Sequence, residues 1–139
     1  MLTLLLLTLA AGDTVVDAGR TLTLTEDLVL SGGDSLGVRG TKESRCTITG
    51  NGHSIRTAEG WTGTIRIAAC DLRGLGAPNA HAFDVHAAGP AAISLDACLL
   101  DACSSISLRM DGMSTARITR CTFLENSTVV VDKAREKSL

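Results

Sequence analysis

IRIAACDLRG (65–74), ISLDACLLDA (93–102) and ARITRCTFLE (116–125) are the segments that decide how this chain folds. Aligned on cysteine, each reads apolar-x-apolar-x-x-Cys-x-apolar. CTITGN at 46–51 adds a fourth copy and resembles CTFLEN at 121–126, so Cys46, Cys70, Cys98 and Cys121 form one column at spacings of 24, 28 and 23 residues. Ile48, Leu72, Leu100 and Phe123 follow two positions later. Ile106 and Leu108 stand eight and ten positions after Cys98, and Val129 and Val131 stand there after Cys121. Phe83 and Val85 fill the same slots once the third copy is given a five-residue insertion, which also explains its longer spacing.

Each repeat therefore holds three short stretches of period-2 alternation, and that period belongs to strands with alternate residues on one side. Three strands in about 23 residues leave no room for a crossover helix. A sandwich would need hairpin turns of the Asn-Gly kind, and Asn51-Gly52 recurs in no other copy. The remaining solution is a solenoid, in which each repeat winds once and its strands pair in parallel with those of the next coil. Leu22/Leu24, Leu28/Leu30 and Leu36/Val38 read as a first coil, and about five coils follow in all. Coil two fits least well, because Thr41 and Glu43 occupy its first-strand slots and Ile55 is one position out of phase.

On these I-x-I/L-x-x-C-x-I/L/F cores, the turn Gly and Asn residues and GNGHSIRT at 50–57, the chain resembles the right-handed parallel β-helix proteins of the pectate-lyase-like superfamily. The resemblance runs from Leu22 to Val131 and implies an all-β right-handed parallel β-helix with three short strands per coil. It also implies a polysaccharide lyase or glycoside hydrolase, whose calcium-binding carboxylates should cluster on adjacent coils. Here Asp71 is followed in its column by Leu99, and Asp101 is faced by Arg73. Of the Asn-Thr-Asp, Asp-Asp, Gly-His-Gly and Arg-x-Lys motifs of the pectin-hydrolysing relatives, the first three do not occur, and Arg135-Glu136-Lys137 matches the fourth without them, so no catalytic residue transfers.

Composition narrows the functions further. The chain has 139 residues, two Phe, one Trp and no Tyr, so aliphatic residues and cysteine must build the core. A net charge of −2 gives no long-range attraction to nucleic acid, and so few aromatics leave no stacking platform for single strands. The run MLTLLLLTLAAGD ends in small residues and is too short to span a bilayer. It reads as the apolar part of a secretory signal over 1–12, placing the β-helix domain at 13–139 and the protein outside the cell or in the cell envelope. A buried first strand is the alternative reading of that run.

The cysteine column points into the core. In-register strands stack about 4.8 Å apart, wider than the Cβ separation a disulfide prefers, so the column is expected to hold thiols acting as small hydrophobes. No metal site and no cofactor are expected, because the cysteines lack the paired spacing of zinc ligands. Asn51 and Asn126 read as turn residues, although Asn126-Ser127-Thr128 is formally a glycosylation sequon.

Chemistry would sit on the outward positions. Lys42, Arg66 and Arg117 align beside Ser94 as a basic column suited to the carboxylates or sulfates of an acidic polysaccharide. His86, Arg109 and Asp132 align after the third strand and offer an acid–base group, a cation and a carboxylate as catalytic candidates. Arg73 and Asp101 read as a cross-strand ion pair, His81 rides on the insertion, and Trp61 reads as a turn residue. The small coil count favours a non-catalytic module that binds carbohydrate or serves as a scaffold over a truncated or divergent lyase or hydrolase. Asp13–Arg20 is the one candidate cap in the sequence, so weakly capped end coils are expected to self-associate.

Overall fold

The computed structural model describes residues 13–124 and 129–133, with side chains through Leu124. Fifteen strands wind as five rungs of three. The first rung is β1 (Asp13–Val16), β2 (Thr21–Thr23) and β3 (Leu28–Leu30); the second is β4 (Ser35–Arg39), β5 (Cys46–Thr49) and β6 (Ile55–Thr57). The third is β7 (Thr64–Ala68), β8 (Cys70–Arg73) and β9 (Phe83–Ala87); the fourth is β10 (Ala92–Asp96), β11 (Leu99–Asp101) and β12 (Ile106–Met110). The fifth is β13 (Thr115–Thr119), β14 (Thr122–Leu124) and β15 (Val129–Lys133). Equivalent strands pair in parallel into three five-stranded sheets: sheet 1 (β1-β4-β7-β10-β13), sheet 2 (β2-β5-β8-β11-β14) and sheet 3 (β3-β6-β9-β12-β15). The result is an all-β parallel solenoid of about four turns, with no helix among the described residues.

The register confirms the cysteine column. Cys46 pairs with Cys70, and the pairings Asp71↔Leu99 and Leu99↔Thr122 carry the same register through Cys98 and Cys121. Ile48, Leu72 and Leu100 stack beside it, and Ile55, Phe83 and Ile106 line sheet 3, all buried. The insertion is absorbed in the corner after β8, so Phe83 and Val85 meet Ile106 and Leu108 as the repeat predicts. All five cysteines are free thiols. Cys98 and Cys103 each place Sγ within 3.5 Å of a backbone carbonyl one rung away. Burial pushes the Cys70 thiol far above its usual range and Cys98 up to about 12. Cys121, in the last rung, is half-buried, as are Ile118 and Phe123.

In rungs three to five a single left-handed residue turns the chain from sheet 1 to sheet 2: Ala69, Ala97 and Arg120 have φ of 50°, 58° and 53°. This conformation is unfavourable for a residue with a side chain. Backbone bonds between stacked corners hold it, with Ala69 N–H donating to Asp96 O and Ala97 N–H to Thr119 O at 2.9 and 3.0 Å.

The second rung departs from that pattern and corrects the sequence reading. Leu36 and Val38 do not close the first coil; they open the second, in register with Ile65 and Ile67. Thr41 and Glu43 lie outside the strands, in a six-residue corner between Arg39 and Cys46. The chain leaves its ladder where Gly40 N–H donates to Ala68 O and rejoins it where Cys46 N–H donates to Ala69 O, both at 3.0 Å. Thr41 and Ser44 exchange backbone hydrogen bonds across the resulting side loop. Gly40 is required at the exit, because a β-carbon there would overlap the Ala69 carbonyl. The later shift at Ile55 is one extra corner residue, accommodated by Asn51 at φ 53° and Gly52 at φ 84°. Asn51 Nδ2 donates to Leu24 O at 3.1 Å, on the adjacent rung rather than within its own turn.

Two further expectations change. Asp13–Val16 is the first strand of sheet 1, paired with Ser35–Val38, so 13–20 is a strand and a turn instead of a cap. Trp61 does lie in the turn between β6 and β7, but it does not point outward: it is fully buried, and its Nε1–H donates to Asp34 O at 2.8 Å. Residues 1–12 and Asn126 lie outside the described residues.

Candidate functional site

Strand alternation points Val15, Gly37, Arg66, Ser94 and Arg117 outward from sheet 1 as one column. Ser94 is in register with both arginines, which places them two rungs, or roughly 10 Å, apart. Lys42 does not belong to this column. The side loop of the second rung carries it away from the strands, and Gly37 takes the position assigned to it.

Arg39, which sequence reasoning missed, supplies the third cation. It ends β4, is exposed, and lies in register with Ala68, beside Arg66. The strip between these arginines is shallow, because Gly37, Ala68, Ala92 and Ser94 are small. Among the described residues Arg39, Arg66 and Arg117 form no ion pair or side-chain hydrogen bond. The charge of Arg117 nevertheless reaches Asp96, whose carboxyl is held down to about 2, first by hydrogen bonds from Arg120 and Thr119. Arg120 grips Asp96 with both arms, Nε to Oδ1 at 3.0 Å and the terminal nitrogen to Oδ2 at 2.6 Å, which keeps this carboxylate occupied.

Arg45, Arg73 and Arg56 are neutralised. Arg45 sits 2.7 Å from Asp71 Oδ1 and also donates to the carbonyls of Cys70 and Ala97, joining three rungs at the corner. Arg73 is beside Asp101 in register, but its ion pair is with Asp71 Oδ2 at 3.7 Å on its own strand. Arg56 pairs with Asp27 at 3.2 Å.

The second candidate set lies on sheet 3. The register puts His86, Arg109 and Asp132 in one column, as the repeat predicts. His86 Nε2 is 3.8 Å from Asp84 Oδ1, and its backbone N–H donates to Thr57 Oγ1 at 2.8 Å. Asp84 is thus the neighbouring carboxylate that the column alone does not disclose, and the Asp132 side chain lies outside the described residues. Among the described residues no three His, Cys, Asp or Glu side chains converge as metal ligands, and no helix is long and apolar enough to cross a membrane.

Comparison with protein-family models, with curated proteins and with solved structures returned no match. The fold and the placement of charge are therefore what bears on function.

Proposed function

We propose that this chain is an exported β-helix module of the pectate-lyase-like kind, which binds acidic polysaccharide along sheet 1 without cleaving its backbone. The observation that carries this reading is the set of guanidinium groups of Arg39, Arg66 and Arg117 on one shallow face, which pair with nothing among the described residues. A guanidinium meets a carboxylate or sulfate through two parallel hydrogen bonds, stronger than contacts between neutral groups. A polymer carrying such groups at intervals would contact Arg66 and Arg117 along the solenoid axis, with Ser94 available for its hydroxyls. The half-buried Ile118, Cys121 and Phe123 of the last rung support a further part of the proposal, association through end coils.

The test is a panel of acidic and neutral polysaccharides assayed for binding and for cleavage with the same protein. The expected result is saturable binding of the acidic members, weakened by salt, with no new unsaturated or reducing ends. Release of such ends would replace this reading with a lyase or hydrolase. Equal binding of neutral and acidic polymers would remove the arginines from the account.

A further inference from the structure

The third rung contains a loop that the solenoid itself does not require. Nine residues, 74–82, connect β8 to β9, whereas four, 102–105, connect β11 to β12 directly above. The loop is nonetheless firmly held. Ser104 Oγ donates to Ala80 O and Ser54 Oγ donates to His81 O, each at 2.6 Å. Ala77 and Ala80 exchange backbone hydrogen bonds at 3.0 Å, and Gly76 N–H donates to His53 O at 2.7 Å. At Gly76, with φ of 83°, any β-carbon would collide with Ser104 Oγ.

Between this loop and the fourth-rung corner lies a pocket of about 210 Å3, lined in part by Pro78, Asn79, His81 and Ser105. Ser105 Oγ and His81 Nδ1 are 2.8 Å apart. With the imidazole proton on Nε2, Nδ1 accepts the Ser105 hydroxyl, the relation of a serine nucleophile to its base. Asn79 makes no hydrogen bond through its side chain among the described residues, so its carboxamide N–H is available to a ligand in the pocket.

We propose that Ser105, His81 and Asn79 form a hydrolytic site for small acyl esters. Ser105 Oγ attacks the ester carbonyl carbon as its proton passes to His81 Nδ1, and Asn79 Nδ2–H stabilises the tetrahedral oxyanion. Collapse breaks the bond to the alkoxy oxygen, which leaves as the alcohol with the proton from His81. Water then attacks the acyl-serine and gives a proton to His81. Collapse of this second intermediate releases the carboxylic acid and returns the proton to Ser105 Oγ. The pocket is smaller than the roughly 300–1,000 Å3 of sites for drug-sized ligands, which matches an acyl group of acetyl size. It lies at the corner between sheets 2 and 3 and does not use the arginines of sheet 1.

The test uses the full chain with p-nitrophenyl acetate as substrate and a fluorophosphonate as a covalent serine probe. Peptide mass spectrometry of the wild-type chain is expected to find the adduct on Ser105, a result that needs no variant to fold. Ester hydrolysis is expected to fall to background in Ser105→Ala and about 100-fold in His81→Ala. Asn79→Ala should lower it by about 100-fold as well. Binding of acidic polysaccharide is measured on the same wild-type preparation, so this site and the polysaccharide face can fail separately. Absence of a Ser105 adduct, labelling as fast in His81→Ala as in wild type, or turnover unaffected by Ser105→Ala overturns the proposal.

Discussion

Sheet 1 and the corner beside sheet 2 both carry arginine, and they use it differently. At the corner, Asp71 receives Arg45 and Arg73, while Arg45 also binds two backbone carbonyls. On the sheet, Arg39, Arg66 and Arg117 have small neighbours and, among the described residues, no carboxylate in ion-pair reach. An arginine closed into a network contributes to stability, whereas one with its donors exposed to water can contribute to recognition. Count of charge does not separate these cases; pairing does.

The largest effect should come from emptying the sheet. Arg66→Ala with Arg117→Ala is expected to weaken acidic-polysaccharide binding by at least about 100-fold, taking 1.5–3 kcal/mol for each hydrogen bond to a charged group. Thermal stability should stay within about 0.5 kcal/mol of wild type, as for surface positions without partners. Calorimetric titration and thermal melts check the two halves.

Ser94→Glu would convert the sheet into a copy of the corner. A carboxylate in register with both arginines should lower binding by about tenfold or more while adding about 0.2–1 kcal/mol of stability through cross-strand pairing. Unchanged binding would mean that the arginines are not the contacts. The reverse change, Arg45→Ala, should cost about 1 kcal/mol of stability in chemical denaturation, because the pair is partly exposed and two carbonyls lose a donor. It should leave binding intact.

A smaller effect concerns acid. The Asp96 carboxyl is held at about 2, below its ordinary value near 3.9, so its contribution is fully present above that ordinary value and is lost as pH falls towards 2. Arg120→Ala should therefore reduce stability at neutral pH, by an amount that shrinks as pH falls through about 2, measured by denaturant titration across that range. Thiol labelling sharpens the view of the core: in the folded chain Cys121 should react first, and the four buried cysteines only on unfolding.

The regular coils were legible because each places its cysteine one residue after a single corner residue, so offsets from Cys70, Cys98 and Cys121 locate every inward side chain. That ruler fails at Cys46, where six corner residues replace one. Corner length has no period, so the sequence pattern moved Lys42 onto the sheet and hid Arg39. Asp13–Val16 escaped for a related reason: its rung has no cysteine from which to count. Trp61 looked like a turn residue among glycine and threonine, yet its ring fills the core and its one polar atom is bonded. Ion pairing was also hidden, since register makes Asp101 the neighbour of Arg73 while side-chain reach selects Asp71. The Ser105–His81 contact crosses a loop whose course no repeat specifies.

The most direct test of the arginine face is a titration of a polyuronate into wild type and into the Arg66→Ala, Arg117→Ala double variant across a salt series. Wild-type binding is expected to be saturable and to weaken as salt rises, with binding and its salt dependence both largely lost in the double variant. A folded wild-type chain that does not bind, or a double variant that binds with the same affinity and salt dependence, would contradict it.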